Sequence, residues 1–171
     1  MQLVFELFRI FPIVLIIICI IDSVLYKSPY SFWLLVGLIL NGLLWLVLTK
    51  IFAINWPMLA ERPNRYNCSY LEQNKPMLYG GFPSGHCQSM GFFVGWVILI
   101  IWSINKNHMN IYFIIYFTLI IIVLSYLSYI MMYSRTIYYK CHTWSQAIFG
   151  TLIGLITSLI MWNILHFYKF I

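Results

Sequence analysis

The amino-acid sequence predicts an all-α, multi-pass membrane bundle of about five helices, one integral domain over residues 1–171. Three observations predict it. Of all residues, 63% are hydrophobic and 8% are charged, whereas a soluble domain has about half and about a quarter. Crossing a hydrocarbon core takes roughly 20 apolar residues as helix; the chain carries three such runs and two weaker ones. Little sequence is left for a soluble module.

The first run covers about Phe11 to Tyr26. Asp22 near its end is expected at the interface, because an ionisable group inside a span is costly. No small-residue cleavage site follows the run, so it does not read as a cleavable signal. The second run, Phe32 to Thr49, contains Asn41-Gly42, a small-polar step suited to a helix–helix contact. Lys50 to Pro83 then holds four of the six prolines. Connections this long are either functional or disordered, and its prolines and aromatics (Trp56, Tyr66, Tyr70, Tyr79) predict a segment folded over one membrane face. The third span runs from about His86 to Ser103, and the polar turn Asn105–His108 follows. The fourth runs from Ile111 to Tyr133. Ser134–Cys141 connects it to the fifth, expected from about His142 to Tyr168. Inside that span Gly150 and Gly154 predict close helix packing.

Two crossings separate the long loop from the Ser134–Cys141 connection. Both therefore emerge on one face, and His86 and His142 can meet there.

The formal net charge is +6, but the basic residues are scattered and form no nucleic-acid stripe. They flank helices, as membrane topology favours. Arg65, Lys75 and Lys140 read as interfacial charges, and His108 and His166 as polar anchors. Cys19, Cys68, Cys87 and Cys141 show no CxxC spacing, so no zinc or redox motif is read. Cys19 reads as packing; a disulfide among the other three stays open. Asn67-Cys68-Ser69 fits an N-glycosylation acceptor, which requires a luminal face. Seven of the ten Lys/Arg lie on the His86 side (Arg9, Lys50, Arg62, Arg65, Lys75, Arg135, Lys140) and three lie opposite (Lys27, Lys106, Lys169). Without Arg62 and Arg135 the balance is too even to set orientation.

Three clusters on the shared face suit an anion. Arg62-Pro63 and Ser134-Arg135 offer guanidinium forks that match phosphate oxygens. Pro83-Ser84-Gly85-His86 opens a helix, whose first N–H groups and dipole favour negative charge. Glycine there also lets an anion approach the backbone. Of two imidazoles, one can attack phosphorus and the other can protonate the departing oxygen. Gln146, four residues after His142, can fix the His142 tautomer through its carbonyl. A helix N-terminus disfavours a protonated His86, and a bound phosphate reverses that bias.

These residues resemble the type 2 phosphatidic acid phosphatase (PAP2) superfamily, whose signature is Lys-x6-Arg-Pro, Pro-Ser-x-His, then Ser-Arg-x5-His-x3-Asp. Arg62-Pro63, Pro83–His86 and Ser134-Arg135 with His142 match in order, over roughly Lys50 to Gly154. His142–Gln146, with Gly150 beyond it, and His86-Cys87-Gln88-Ser89 look most like the dolichyl diphosphate phosphatase branch. Glucose-6-phosphatases also carry Gln at the position of Gln146. The resemblance implies a PAP2-like core and a metal-independent phosphatase without a cofactor. His142 would form a phosphohistidine, His86 would be the general acid, and Arg62, Ser84, Gly85 and Arg135 would hold phosphoryl oxygens. It also implies a site on the luminal or outer face of the endoplasmic reticulum or another cell membrane.

Two departures stand out. The family lysine falls on Asn55, with Lys50 as a displaced substitute. Six residues instead of five separate Arg135 from His142, so the family register would put Cys141 at the nucleophile position; a loop absorbs one residue cheaply, which favours His142. A site at the interface favours a lipid substrate, a polyprenyl diphosphate first and a phosphatidate-type phospholipid second. The competing class is an inactive phosphate-binding scaffold. A small transporter fits poorly, because charges midway along the spans are lacking.

Overall fold

The computed structural model describes residues 2–64, 68, 80–106 and 110–171. Arg65, Lys75, His108, Tyr66, Tyr70, Tyr79 and the Asn67 and Ser69 positions of the glycosylation tripeptide lie outside the described residues. Among those described there is helix and no strand. Five helices are long and apolar enough to cross a membrane. They are α1 (Gln2–Leu25), α2 (Pro29–Asn55), α4 (Gly85–Asn105), α5 (Ile111–Tyr133) and α6 (Trp144–Phe167), with a short α3 (Pro57–Ala60) between α2 and α4. The helix of α5 continues into a π-helical turn, Ser134–Tyr138.

The first two helices exceed their apolar runs. α1 begins well before Phe11 because its polar residues turn inward: Arg9 is buried, 3.5 Å from Glu6, and Glu6 accepts the Tyr139 hydroxyl at 3.0 Å. α2 starts where Ser28 caps the Ser31 N–H and Pro29 takes the first turn, where no N–H is needed. Ser31 in turn donates to Asp22 in the last turn of α1.

α6 starts two residues later than expected. Thr143 is its N-cap and forms a capping box with Gln146, which satisfies two orphan donors reciprocally. His142 therefore belongs to the connection ahead of α6, not to its first turn.

The central packing pair is α4 against α6. A Cβ on Gly150 would lie 2.5 Å from the Ser84 carbonyl oxygen, and one on Gly154 would strike the Gln88 carbonyl. The GxxxG step thus seats α6 on α4 within one chain. Asn41 ties in α2: its side-chain oxygen accepts from Gln88 Nε2 at 2.9 Å and from the Thr157 hydroxyl at 3.1 Å. Inside the apolar part of a bundle such bonds satisfy groups that lipid cannot. Gly42 makes no such contact and borders the site cavity. Below this polar layer Phe92, Trp96 and Trp162 fill the core. The outer faces of α1, α2, α5 and α6 carry exposed Ile and Leu, whereas the central α4 exposes only Trp102 and Ile104 among its large apolar side chains.

One disulfide, Cys68–Cys141, with Cα atoms 5.5 Å apart, joins the loop to the residue before His142. Cys19 and Cys87 are buried free thiols.

Candidate active site

The site forms where the residues after α3, the start of α4 and the connection from α5 to α6 converge. His142 is 3% exposed. Its Nδ1 lies 2.8 Å from the Gly81 carbonyl and 3.3 Å from Gln146 Oε1. Both are acceptors, so the ring proton sits on Nδ1. Nε2 is left with its lone pair, and Arg62 Nη1 donates to it at 3.1 Å. Arg62 is itself braced by Nη2 donating to the Gly80 carbonyl at 3.0 Å.

Gln146 does more than the tautomer-fixing expected of it. Its Oε1 also accepts the Thr143 N–H at 3.1 Å, while Nε2 donates to the Leu59 and Glu61 carbonyls, each at 2.8 Å. One side chain thus joins the start of α6, the end of α3 and the imidazole. The shorter acceptor for His142 Nδ1 is Gly81, which no sequence motif marked.

Burial holds the His142 pKa well below the ordinary histidine value, and the positive charges of Arg62 and Arg135, followed by His86, push the same way. The hydrogen bond to Gly81 opposes them and is the smallest influence. At neutral pH the ring is uncharged, the form a nucleophile requires.

Arg135 comes from the π-turn. Only 1% exposed, it donates through Nη2 to the Cys68 carbonyl, and its guanidinium lies 5.6 Å from the Tyr139 ring centroid. Its Nε and Nη1 are buried with no hydrogen-bond partner among the described residues. Buried donors are rarely left so, and each of these charged N–H groups can take an oxygen of an anion. The π-turn closes by Tyr139 N–H donating to the Ser134 carbonyl at 2.9 Å, a wider ring that holds one residue more than an α-turn, and it overlaps the stretch between Arg135 and His142. Cys141, at the family nucleophile position by count, is consumed in the disulfide.

At the start of α4 the expectations are met unevenly. Gly85 and His86 border a cavity of about 220 Å³ together with Arg62, Arg135, His142 and Trp45. The side of Gly85 where a Cβ would point is filled by the Trp45 indole, 2.9 Å away, and Trp45 Nε1 donates to the Pro83 carbonyl at 3.0 Å. Indole packing gives glycine a reason here besides anion approach. Ser84 is fully buried and does not border that cavity. Its N–H, expected to point outward, donates instead to the Gln146 carbonyl at 3.0 Å. Its hydroxyl has no nitrogen or oxygen partner among the described residues. The N–H groups of Gly85, His86 and Cys87 open the helix without acceptors inside it.

Neither substitute for the family lysine reaches the cavity. Lys50 and Asn55 are exposed, and Asn55 Nδ2 turns back to the Ile51 carbonyl at 2.9 Å. His166 stacks on Trp162, 6.1 Å between centroids, far along α6 from the site, and Lys140 is exposed. Residues near the site that no motif marked are Trp45, Gly81, Tyr139 and, from α1, Pro12, while Arg9 was read only as a basic residue on the His86 side. Of these only Pro12 carried a signal, as a helix breaker within an apolar run.

A second cavity, of about 320 Å³, lies between α2, α4 and α6 and is bordered by Leu40, Phe92, Ile160 and Ile164 among other apolar side chains. Asn41 borders both cavities.

A family model described as the PAP2 superfamily matches residues 30–169. Among curated proteins and among solved structures nothing matches.

Proposed function

Because this chain belongs to the PAP2 superfamily, a family of phosphatases, we propose that it is a metal-independent lipid phosphatase acting through a phosphohistidine on His142. Its preferred substrate is a polyprenyl diphosphate of the dolichyl kind, which it converts to the monophosphate. The observation that carries the reading is the arrangement of His142: Nδ1 held by carbonyls, Nε2 directed at a guanidinium beside a second guanidinium with unpaired donors.

In the first step His142 Nε2 attacks the terminal phosphorus while Arg62 turns its N–H from the imidazole to a phosphoryl oxygen. Arg135 takes another. The bond from phosphorus to the bridging oxygen breaks, and His86 gives that oxygen a proton. In the second step water attacks the phosphohistidine, loses a proton to His86, and inorganic phosphate leaves a neutral His142. Such transfer asks mainly for positioning and charge stabilisation, which fixed guanidinium groups supply.

A lipid is favoured over a soluble ester because the apolar cavity between the helices adjoins the charged one. The disulfide supports a luminal or outer face for the site, since such bonds persist in oxidising compartments. The second reading is a phosphate-binding scaffold without turnover, favoured by the missing family lysine and the exposure of Lys50 and Asn55.

Purified protein in detergent, given a polyprenyl diphosphate and a phosphatidate in parallel with EDTA present, separates these readings. Phosphate release that survives EDTA and is abolished in His142→Ala supports the enzyme, and the faster of the two lipids identifies the class. Absence of turnover with either lipid leaves the scaffold.

A further inference from the structure

Helix α1 lies outside the matched residues 30–169, yet it reaches into the site. Nε2 of His86 lies 2.9 Å from the Arg9 carbonyl. A carbonyl only accepts, so His86 carries a proton on Nε2. His142 carries its proton on Nδ1, as shown above. The two imidazoles are thus held as opposite tautomers, each by a backbone carbonyl.

Pro12 stands one turn further along α1 and borders the site cavity. It has no N–H, so the Phe8 carbonyl loses its helical donor. Membrane helices tolerate such a residue where neighbouring groups satisfy the freed backbone. In the same turn the next carbonyl, that of Arg9, accepts a hydrogen bond from an imidazole of α4. The same turn of α1 is anchored from its other side: Arg9 is buried with its guanidinium 5.5 Å from the Tyr139 ring centroid, and the Tyr139 hydroxyl donates to Glu6 at 3.0 Å.

We propose that α1 is the positioning element for leaving-group protonation: the Arg9 carbonyl, in the turn opened by Pro12, holds His86 by Nε2–H and leaves Nδ1 as the nitrogen that serves the departing oxygen. This rests on the phosphatase reading. When the bond from phosphorus to the leaving oxygen breaks and the bond from phosphorus to His142 Nε2 forms, the proton on His86 Nδ1 passes to the leaving oxygen. The Nε2 proton stays on the ring, donated to the Arg9 carbonyl throughout, so the imidazolium before transfer and the imidazole after it share one ring orientation. Arg9 and Pro12 touch no reacting atom; they act through His86.

The test compares wild type, Pro12→Ala and His86→Ala on two substrates, an alkyl phosphate lipid and p-nitrophenyl phosphate. The alkoxide needs a proton as it leaves and the nitrophenolate does not. General-acid loss in His86→Ala is expected to cost about 10²–10⁴-fold on the alkyl substrate, with little change on the aryl one. Pro12→Ala is expected to show the same selectivity in milder form, roughly tenfold on the alkyl substrate as a fraction of that acid effect. Nitrogen-15 histidine spectra of wild type at neutral pH should show His86 as the Nε2–H tautomer, and Pro12→Ala should show a mixture. A Nδ1–H tautomer in wild type overturns the proposal, as does a Pro12→Ala variant that loses neither substrate or loses both equally. If wild type cleaves neither substrate and releases no phosphate from a polyprenyl diphosphate either, the phosphatase reading falls and the catalytic role proposed for α1 falls with it. The spectra decide separately whether α1 sets the His86 tautomer.

Discussion

Arg62 donates a hydrogen bond from Nη1 to Nε2 of His142, at 3.1 Å, so the lone pair of the proposed nucleophile is directed at the cation proposed to hold the phosphoryl group. The contact keeps the imidazole neutral and aimed while no substrate is bound. In the proposed reaction an arriving phosphate takes Arg62 from it, which would link substrate binding to release of the lone pair.

That relationship gives a pH signature. Arg62 is, after burial, the largest influence depressing the His142 pKa. A depressed pKa keeps the ring neutral to lower pH, so the acid limb of kcat/KM assigned to His142 should lie well below pH 6.5, about the value for free histidine. Removing the positive charge in Arg62→Ala raises that pKa, and the limb should move upward. Activity at neutral pH should fall about 10²–10³-fold, as when one oxyanion donor is lost. Arg62→Lys should not restore it, because a point charge cannot reach both His142 and the Gly80 carbonyl. A limb unchanged in Arg62→Ala would break the link.

Gln146 is expected to matter for folding as well as rate. Gln146→Ala leaves the Leu59 and Glu61 carbonyls and the Thr143 N–H without their partner, each such loss costing about 1–3 kcal/mol where buried. Gln146→Glu keeps an acceptor for His142 and Thr143 but loses the two donated bonds. Its negative charge should raise the His142 pKa. Thermal unfolding in detergent should rank wild type above both variants, and the acid limb should move upward in Gln146→Glu alone.

The disulfide should be both a staple and a site brace. Cys141 precedes His142, and the Cys68 carbonyl accepts from Arg135, so Cys68→Ser should loosen both. A stability loss of about 2–4 kcal/mol is expected, together with lower kcat. Thiol counting under denaturing conditions should find two free cysteines without reductant and four after it. Four free thiols in protein from its native membrane would contradict the luminal placement of the site.

The α4–α6 seam should be intolerant of bulk. Gly150→Leu would drive a side chain into the Ser84 carbonyl, displacing the start of α4 and with it His86. Overpacking typically costs about 1–3 kcal/mol, more where backbone blocks the way. Loss of folded yield, read by size-exclusion profile, should exceed that for Gly42→Leu, where an added Cβ meets nothing within 4 Å.

Much of the fold was legible because spans announce themselves by apolar length: α5 ends at Tyr133 as read. The helix starts were less so. α1 reaches back to Gln2 because Arg9 and Glu6 find partners in Tyr139 and His86, contacts far apart along the chain. α6 begins at Trp144 because Thr143 wins the cap through Gln146, a local signal that the pairing of His142 with Gln146 obscured. At the site, Arg62, Arg135, His86 and His142 were legible as motif residues and do border one cavity. Ser84 was not placed correctly: its buried hydroxyl and its N–H to Gln146 depend on α6 packing, which spacing alone does not encode. Gly81 acts through a carbonyl, and a backbone acceptor leaves no mark in residue identity. The π-turn is the least legible feature, since a count of six where five was expected says nothing of helix type.

The central claim is a covalent one, and rapid quenching tests it directly. A polyprenyl diphosphate radiolabelled in its terminal phosphate is mixed with enzyme and quenched in alkali within the first turnover. The label should appear on protein as an acid-labile, alkali-stable phosphoramidate, map to the peptide containing His142, and be absent from His142→Ala. Turnover that proceeds while His142 never carries label would contradict the account.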